Sequence, residues 1–317
     1  MSTNWIRYLN LTASGAGLSA EFSQLRCRFN VRQFMTETPN IAEIAITNPA
    51  PNTIKAFLSQ EFTKISIEAG YQDNHGIVFV GEIAQARYGR ENPTDTWILV
   101  TARDSDRSYN FATVSKSFPA GSTPHDHFQA AMTSMQAMGA KPGYLGVDLS
   151  KPVFPRAVTL YGMARDVMRN IAVSKSATWS AQNGEIQMLG LSQTLPGSAI
   201  AVNSQTGLIG MPEQRLTGIA ARVLINPAIK VHTMVQINQG DIQRAKFVVN
   251  YGGTADMRNA ALPSVTADGH YKVLQISVEG DTRDTPWYMD LLCVAVSSSG
   301  KVVGRLPANL AMYEGTE

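Results

Sequence analysis

The sequence predicts a mainly β protein with an α+β segment in its middle, and three observations carry that prediction. The first hundred residues are short β-rich runs broken by turn signals. The period of the apolar residues then changes from two to between three and four around residues 128–171. After Gly207 the chain returns to strand-like runs. At 317 residues, 44% of them hydrophobic, the chain is long enough for two or three compact units, because single cores rarely grow far past about 250 residues.

In chain order, Cys27 to Phe34, Ile41 to Thr47 and Phe62 to Tyr71 read as strands punctuated by Asn-Pro, Asn-Thr and Asp-Asn pairs. Lys64-Ile65-Ser66-Ile67-Glu68 alternates strictly, so its polar and apolar residues face opposite sides of a sheet. Gly76 to Gly89 and Thr96 to Arg103 follow, joined by the polar stretch from Arg90 to Asp95 as a hairpin would be. Phe128, Ala131, Met132 and Met135 recur at helical spacing, as do Leu160, Met163, Ala164, Val167, Met168 and Ile171, which predicts two amphipathic helices. Between Thr178 to Ala181 and Glu185 to Leu189, Asn183-Gly184 supplies the positive φ of a tight hairpin. The last strands expected are Ile219 to Ile225, Val231 to Ile237, Lys246 to Asn250, His270 to Glu279 and Trp287 to Ser297. The resulting division is 1–104 for a first β unit, 105–207 for the helix-containing middle and 208–317 for a second β unit. The β units share a plan of strand, polar turn and a tryptophan opening the next strand: Asp95-Thr96-Trp97 lines up with Asp284-Thr285-Pro286-Trp287. This points to an internal duplication.

Composition excludes several classes. The 27 basic and 25 acidic residues leave a net charge of +2, without the basic excess of a phosphate-backbone binder, so no direct nucleic-acid readout is expected. No apolar run is long enough to span a membrane, and Asn4, Arg7 and Asn10 interrupt what a signal-peptide core would need, so synthesis in the cytoplasm is expected. Cys27 and Cys293 sit in apolar runs and read as small buried hydrophobes.

Candidate chemistry is sparse. His125-Asp126-His127 has metal-like spacing but no further Cys or His nearby. Ser122-Thr123-Pro124 before it reads as a helix start, with Asp126 near the positive end of the helix dipole. Asp104-Ser105-Asp106 opens like a calcium loop but lacks the glycine and closing glutamate, and is expected to be a solvated turn. Glu82, Glu185 and Glu279 could supply a glycan-hydrolysing carboxylate pair only if the fold brought two together. No phosphate-cradling glycine motif and no nucleophile elbow occurs. Trp97 and Trp287 are expected in a barrel wall or subunit interface. No catalytic, cofactor-binding or metal-ligating residue is therefore assigned, and no enzymatic activity is expected.

The run Thr206 to Pro212, then Gly218-Ile219-Ala220-Ala221-Arg222-Val223-Leu224-Ile225-Asn226-Pro227, then Tyr271-Lys272-Val273 through Gly280-Asp281-Thr282 to Trp287-Tyr288, resembles the baseplate hub proteins of contractile and related bacteriophage tails. The resemblance spans nearly the whole chain in order, with motifs that are individually short. One departure is Ala228-Ile229-Lys230-Val231-His232, where similar proteins carry a glycine soon after the Asn-Pro turn. The resemblance implies two tube-like β-barrel domains with small helix-containing domains embedded between them, and a homotrimer whose six barrels form a pseudo-sixfold ring. It further implies a structural role in the virion, as adaptor between the hexameric tail tube and the trimeric central spike. The implied partners are the spike, the distal tube ring, other baseplate proteins and the tape measure protein. The same hub plan serves contractile injection and secretion devices. Two other functions stay open from the residues themselves: a receptor- or glycan-binding tail protein, and a cell-wall hydrolase of the tail tip.

Overall fold

The computed structural model describes residues 5–215, 218–238, 242, 269–297 and 302. The chain opens with β1 (Arg7–Gly15) and β2 (Leu18–Glu21), turned at Ala16 and Gly17, both with positive φ. Next come β3 (Cys27–Phe34), β4 (Ile41–Thr47), α1 (Pro51–Leu58), β5 (Lys64–Tyr71), β6 (Asn74–Arg90) and β7 (Thr96–Arg103). The expected strands are there, and alternation places them. Cys27, Phe29 and Val31 of β3, Ala42, Ile44 and Ile46 of β4, and Ile98, Val100 and Ala102 of β7 all enter one core. α1 falls where turn signals alone were read: Pro51 occupies its first turn, where a missing N–H costs nothing. β6 is long enough to serve two neighbours, pairing β5 through Asn74–Glu82 and β7 through Glu82–Arg90.

The middle contains α2 (Asp106–Phe111), β8 (Thr113–Phe118), α3 (Pro124–Ala137), β9 (Lys141–Leu145), β10 (Val158–Met163), α4 (Ala164–Ser174), β11 (Ala177–Gln182) and β12 (Glu185–Gly190). The α3 start is the one expected. Thr123 and Asp126 form a reciprocal capping box, and Pro124 follows the cap. The second helix needs a correction, because Leu160 and Met163 lie in β10. Gly162 adopts φ 141°, β10 pairs with β8 from Val158 to Met163, and the helix begins only at Ala164. Leu160 still packs on the middle core, so a buried strand contact had mimicked helical spacing. Asn183 and Gly184 turn the β11–β12 hairpin with φ of 56° and 87°. The three-stranded sheet β11-β12-β9 and the helices share a separate core around Trp179, Met188, Met135 and Met168.

β13 (Ile200–Val202), β14 (Leu208–Arg215), β15 (Gly218–Leu224), β16 (Met234–Ile237), β17 (His270–Asp281) and β18 (Trp287–Ala295) complete the described strands. The expected strand at Lys246 to Asn250 lies outside the described residues. Val231 and His232 form a turn rather than the start of β16, with His232 at φ 69°. All but five of the strands form one 13-stranded sheet, whose main path runs β14-β15-β18-β17-β3-β4-β7-β6-β5-β1-β2. The junction between the two β regions is β17 against β3, antiparallel from Gln275↔Phe34 to Asp281↔Arg28. Their side chains fill a single hydrophobic core.

The two tryptophan hairpins share their plan down to the pairing. Trp97 lies opposite Gly89 and Trp287 opposite Gly280, and each hairpin carries a bulge further along. A Cβ on Gly89 would sit 2.5 Å from the Trp97 ring, and one on Gly280 2.3 Å from Phe29. The rings nevertheless point to opposite faces. Trp97 falls between the core-facing positions of β7, which begin at Ile98, whereas Trp287 is itself core-facing and in phase with Met289 and Leu291 of β18. Trp287 is 3% exposed, stands edge-on to Phe29 at 5.6 Å and donates Nε1–H to Gly70 O at 3.0 Å. Trp97 is half-buried on the face away from the core. Trp287→Ala is expected to cost about 3–5 kcal/mol in urea unfolding, as large buried aromatic truncations do. Trp97→Ala is expected to cost clearly less, and equal losses would contradict the opposed faces.

Candidate functional site

The middle domain is seated between the two β regions by two buried polar clusters of opposite charge. The first gathers on the tip of the β11–β12 hairpin. Asp104, at the end of β7, is fully buried and accepts the main-chain N–H of Asn183 and Gly184 at 2.5 and 2.8 Å and the Ser105 hydroxyl at 2.9 Å. Asn40, also fully buried, donates Nδ2–H to Ala181 O at 2.8 Å and accepts Phe34 N–H at 2.9 Å. Gln182 donates back to Phe34 O at 2.8 Å, and Asn183 Oδ1 accepts Val80 N–H at 3.1 Å. The expectation of a solvated turn at Asp104-Ser105-Asp106 is therefore overturned. The carboxylate faces the hairpin tip, away from water, and burial pushes its pKa up to about 6 against the hydrogen bonds it accepts.

The second cluster lies in the other β region. Lys272 of β17 is fully buried and donates Nζ–H to Leu191 O at 2.9 Å and Gly190 O at 3.3 Å, the carbonyls by which the chain leaves β12. Burial lowers its pKa to about 7. His232, also buried, has neither ring nitrogen hydrogen-bonded; burial first and Lys272 second hold its pKa well below the ordinary value. A third tie is peripheral: Arg169 of α4 reaches Glu37, in the loop after β3, at 2.7 Å.

The residues singled out in the sequence do not assemble a reaction centre. His127 is buried between Phe118 and Phe154, with its ring stacked on the latter, while His125 is exposed beside Gln129. Asp126 serves the cap. No group of three metal-ligating side chains converges among the described residues. Glu82 accepts Arg107 N–H at the start of α2, Glu279 accepts the Tyr288 hydroxyl, and Glu185 is exposed at the start of β12. Each carboxylate thus serves its own strand or helix. Cys27 and Cys293 are buried free thiols, both pushed up to about 12 by burial. Among the described residues no helix is long and apolar enough to cross a membrane. What the sequence did not reveal is the polar clusters: Asp104 and Lys272 look like ordinary surface residues until their long-range partners are known.

Outside the core, the sheet carries a polar row. It runs Gln85, Thr101, Glu43, Asn30, Glu279 and Tyr288 across six successive strands, and beside it Arg222 and Asp290 pair at 2.7 Å. Such a molecule belongs to the mainly β class, with one large sheet and a small helix-bearing unit.

Solved structures give that class a fold. The chain is similar to the 43 kDa tail protein of prophage MuSo2 from Shewanella oneidensis, with a TM-score of 0.57 and 8% identity over 94% of this chain and 100% of that one. It is similar to a tail protein of Neisseria meningitidis, with a TM-score of 0.57 and 10% identity over 91% and 96% of the two chains. A third similar structure is an Escherichia coli component of the type VI secretion system, itself described as resembling the T4 tail proteins gp27 and gp5. Its TM-score is 0.55 and its identity 11%, over 96% of this chain and 80% of that one. No family model and no curated protein sequence matches the chain. The fold is thus shared with tail proteins, as the sequence resemblance led one to expect.

The buried ions give a specific pH signature. The folded state retains the Asp104 proton up to about pH 6, whereas the unfolded chain releases it near 3.8, so this group removes stability as pH rises through that interval. His232 acts oppositely. The unfolded ring protonates below 6.5 and the folded one resists, so stability is lost as pH falls. Lys272 gives up its proton near 7 when folded and near 10.5 when unfolded, so stability rises across that range. Urea titrations are expected to show a gain between pH 7 and 9 that Lys272→Met abolishes. Below pH 6 Asp104 and His232 offset each other, and Asp104→Asn uncovers a loss on the order of 1 kcal/mol per pH unit. An Asp104→Asn protein with an unchanged acid slope would contradict the assignment.

Proposed function

We propose that this chain is the structural hub of a tail baseplate: a trimeric adaptor that couples the hexameric tail tube to the trimeric central spike. The single observation that carries this reading is the pair of tryptophan hairpins carried in one sheet, with β3 and β4 between them. Two similar β regions per chain give six near-equivalent surfaces from three subunits, which is what a junction between sixfold and threefold structures needs. The fold shared with tail proteins supports it. Function then resides in interfaces, with the spike below, the tube ring above and other baseplate proteins and the tape measure protein around them. The scattered carboxylates support a non-enzymatic role.

The test is the mass of the purified protein by light scattering behind a sizing column, alone and with the spike protein added. A trimer in either condition is expected. A monomer that ignores the spike over a wide concentration range would overturn the proposal, as would clearing of peptidoglycan by the protein in a gel assay.

A further inference from the structure

The large sheet has two uncovered edges that match. β14 ends the sheet on one side: its only described partner is β15. On the other side β6 leaves β5 at Glu82, while Ile83 N–H still reaches Thr63 O. Residues 84–90 of β6 then continue along β7 with no described strand on their outer edge. The two free edges are of similar length, seven residues against the eight of Leu208–Arg215. Unpaired edges of this length are pairing templates, and monomeric proteins usually shorten or charge them.

We propose that residues 84–90 of one copy add to β14 of the next, so that the sheets of successive copies join into one ring. This inference rests on the trimeric reading above and names the seam that reading leaves open. Three features commit the occupant to a second copy of this chain. The first is parity. Seven antiparallel steps separate β14 from β6, so β6 runs opposite to β14, and a head-to-tail junction continues the antiparallel ladder without a break. A heterologous contact of this kind closes into a ring when its rotation permits.

The second feature is charge. Arg87 has no carboxylate partner among the described residues, and β14 carries Glu213, paired there with Arg215 at 3.3 Å, on the face that continues the Arg87 row. Strands about 4.8 Å apart bring such residues into contact. The third is exposed apolar surface on both strands: Met211 is 62% exposed and Ile209 38% on β14, and Tyr88, on the other face of the sheet, is 44% exposed on β6. The bulge between Ile209 and Glu213, with Gly210 at positive φ and Pro212 unable to donate, divides the β14 edge into two short ladders. That division disfavours register slippage. The other free edges of this sheet among the described residues are shorter: β2 has four residues, the Arg7–Leu11 part of β1 that β2 leaves uncovered has five, and β13 has three.

Cysteine cross-linking of the full chain tests the seam. Arg87→Cys is combined with Ile209→Cys in one variant and with Glu213→Cys in a second, covering two registers, and each is oxidised under the condition in which light scattering shows the trimer. The native thiols are buried and do not compete. Expected are covalent dimers and trimers, and no larger species, from at least one double variant, with none of the three single variants cross-linking. Arg87→Cys with Ser19→Cys, aimed at the β2 edge, is the control and should stay monomeric on a non-reducing gel. A trimer by light scattering in which neither seam variant cross-links, or in which the β2 control does, overturns the seam and leaves the hub reading standing. A protein that never trimerises overturns both.

Discussion

The pairing of β17 with β3 is the constraint on which the rest of this structure depends. It joins residues about 250 positions apart, so the whole intervening chain must be closed into a loop before the first hydrogen bond of the ladder forms. What offsets that cost is a core that neither β region completes by itself. Val31 and Phe29 of β3 and Ile276 and Val278 of β17 are buried in the same cluster, and Trp287 from the second region donates to Gly70 in the first. The far end of the ladder is closed by Arg26, whose guanidinium makes two bonds to the Asp281 carboxylate, at 2.7 and 3.2 Å. Arg7 adds bonds to the Asp281 and Thr285 carbonyls and lies over the Trp287 ring. Because these partners are partly buried and bidentate, they fix geometry better than a solvated pair would.

Much of this was legible in the sequence, for local reasons. β3, β4 and β7 have the bounds that alternation indicates, since a strand with one face in the core must alternate. Asn183-Gly184 marks its turn through a conformational need few residues meet, and Thr123-Pro124 marks a helix start through unsatisfied N–H groups. The illegible parts are non-local. Nothing in 28–34 names residues 275–281 as its partner, so two β regions could be read but not their fusion into one sheet. Leu160 and Met163 fit a helical stripe because burial against the middle core selects apolar residues whichever element carries them. The opposed faces of Trp97 and Trp287 likewise depend on a register that only the folded sheet defines.

The candidate site divides in the same way. Candidate groups such as Glu82, Glu185 and Glu279 could be named from the sequence, but what each one bonds is set by the fold. The two buried charges could not be picked out. Asp104 and Lys272 are single charged residues whose importance comes from what docks on them, a hairpin tip in one case and a pair of carbonyls in the other.

Placing those two charges at the seats of the middle domain has a physical rationale. An apolar seat of equal area would contribute more stability per square ångström, because burying an ion costs desolvation that its partners only partly return. An apolar seat would also tolerate sliding, since dispersion and hydrophobic contacts are non-directional. Asp104 accepts two main-chain N–H groups at once, and any rotation of the hairpin leaves a buried donor or acceptor unpaired, at about 1–3 kcal/mol for each group. Lys272 imposes the same condition at the opposite seat through the carbonyls of Gly190 and Leu191. Two such seats, one on each β region, define the domain's position and its rotation together. The two seats thus fix geometry at the expense of stability.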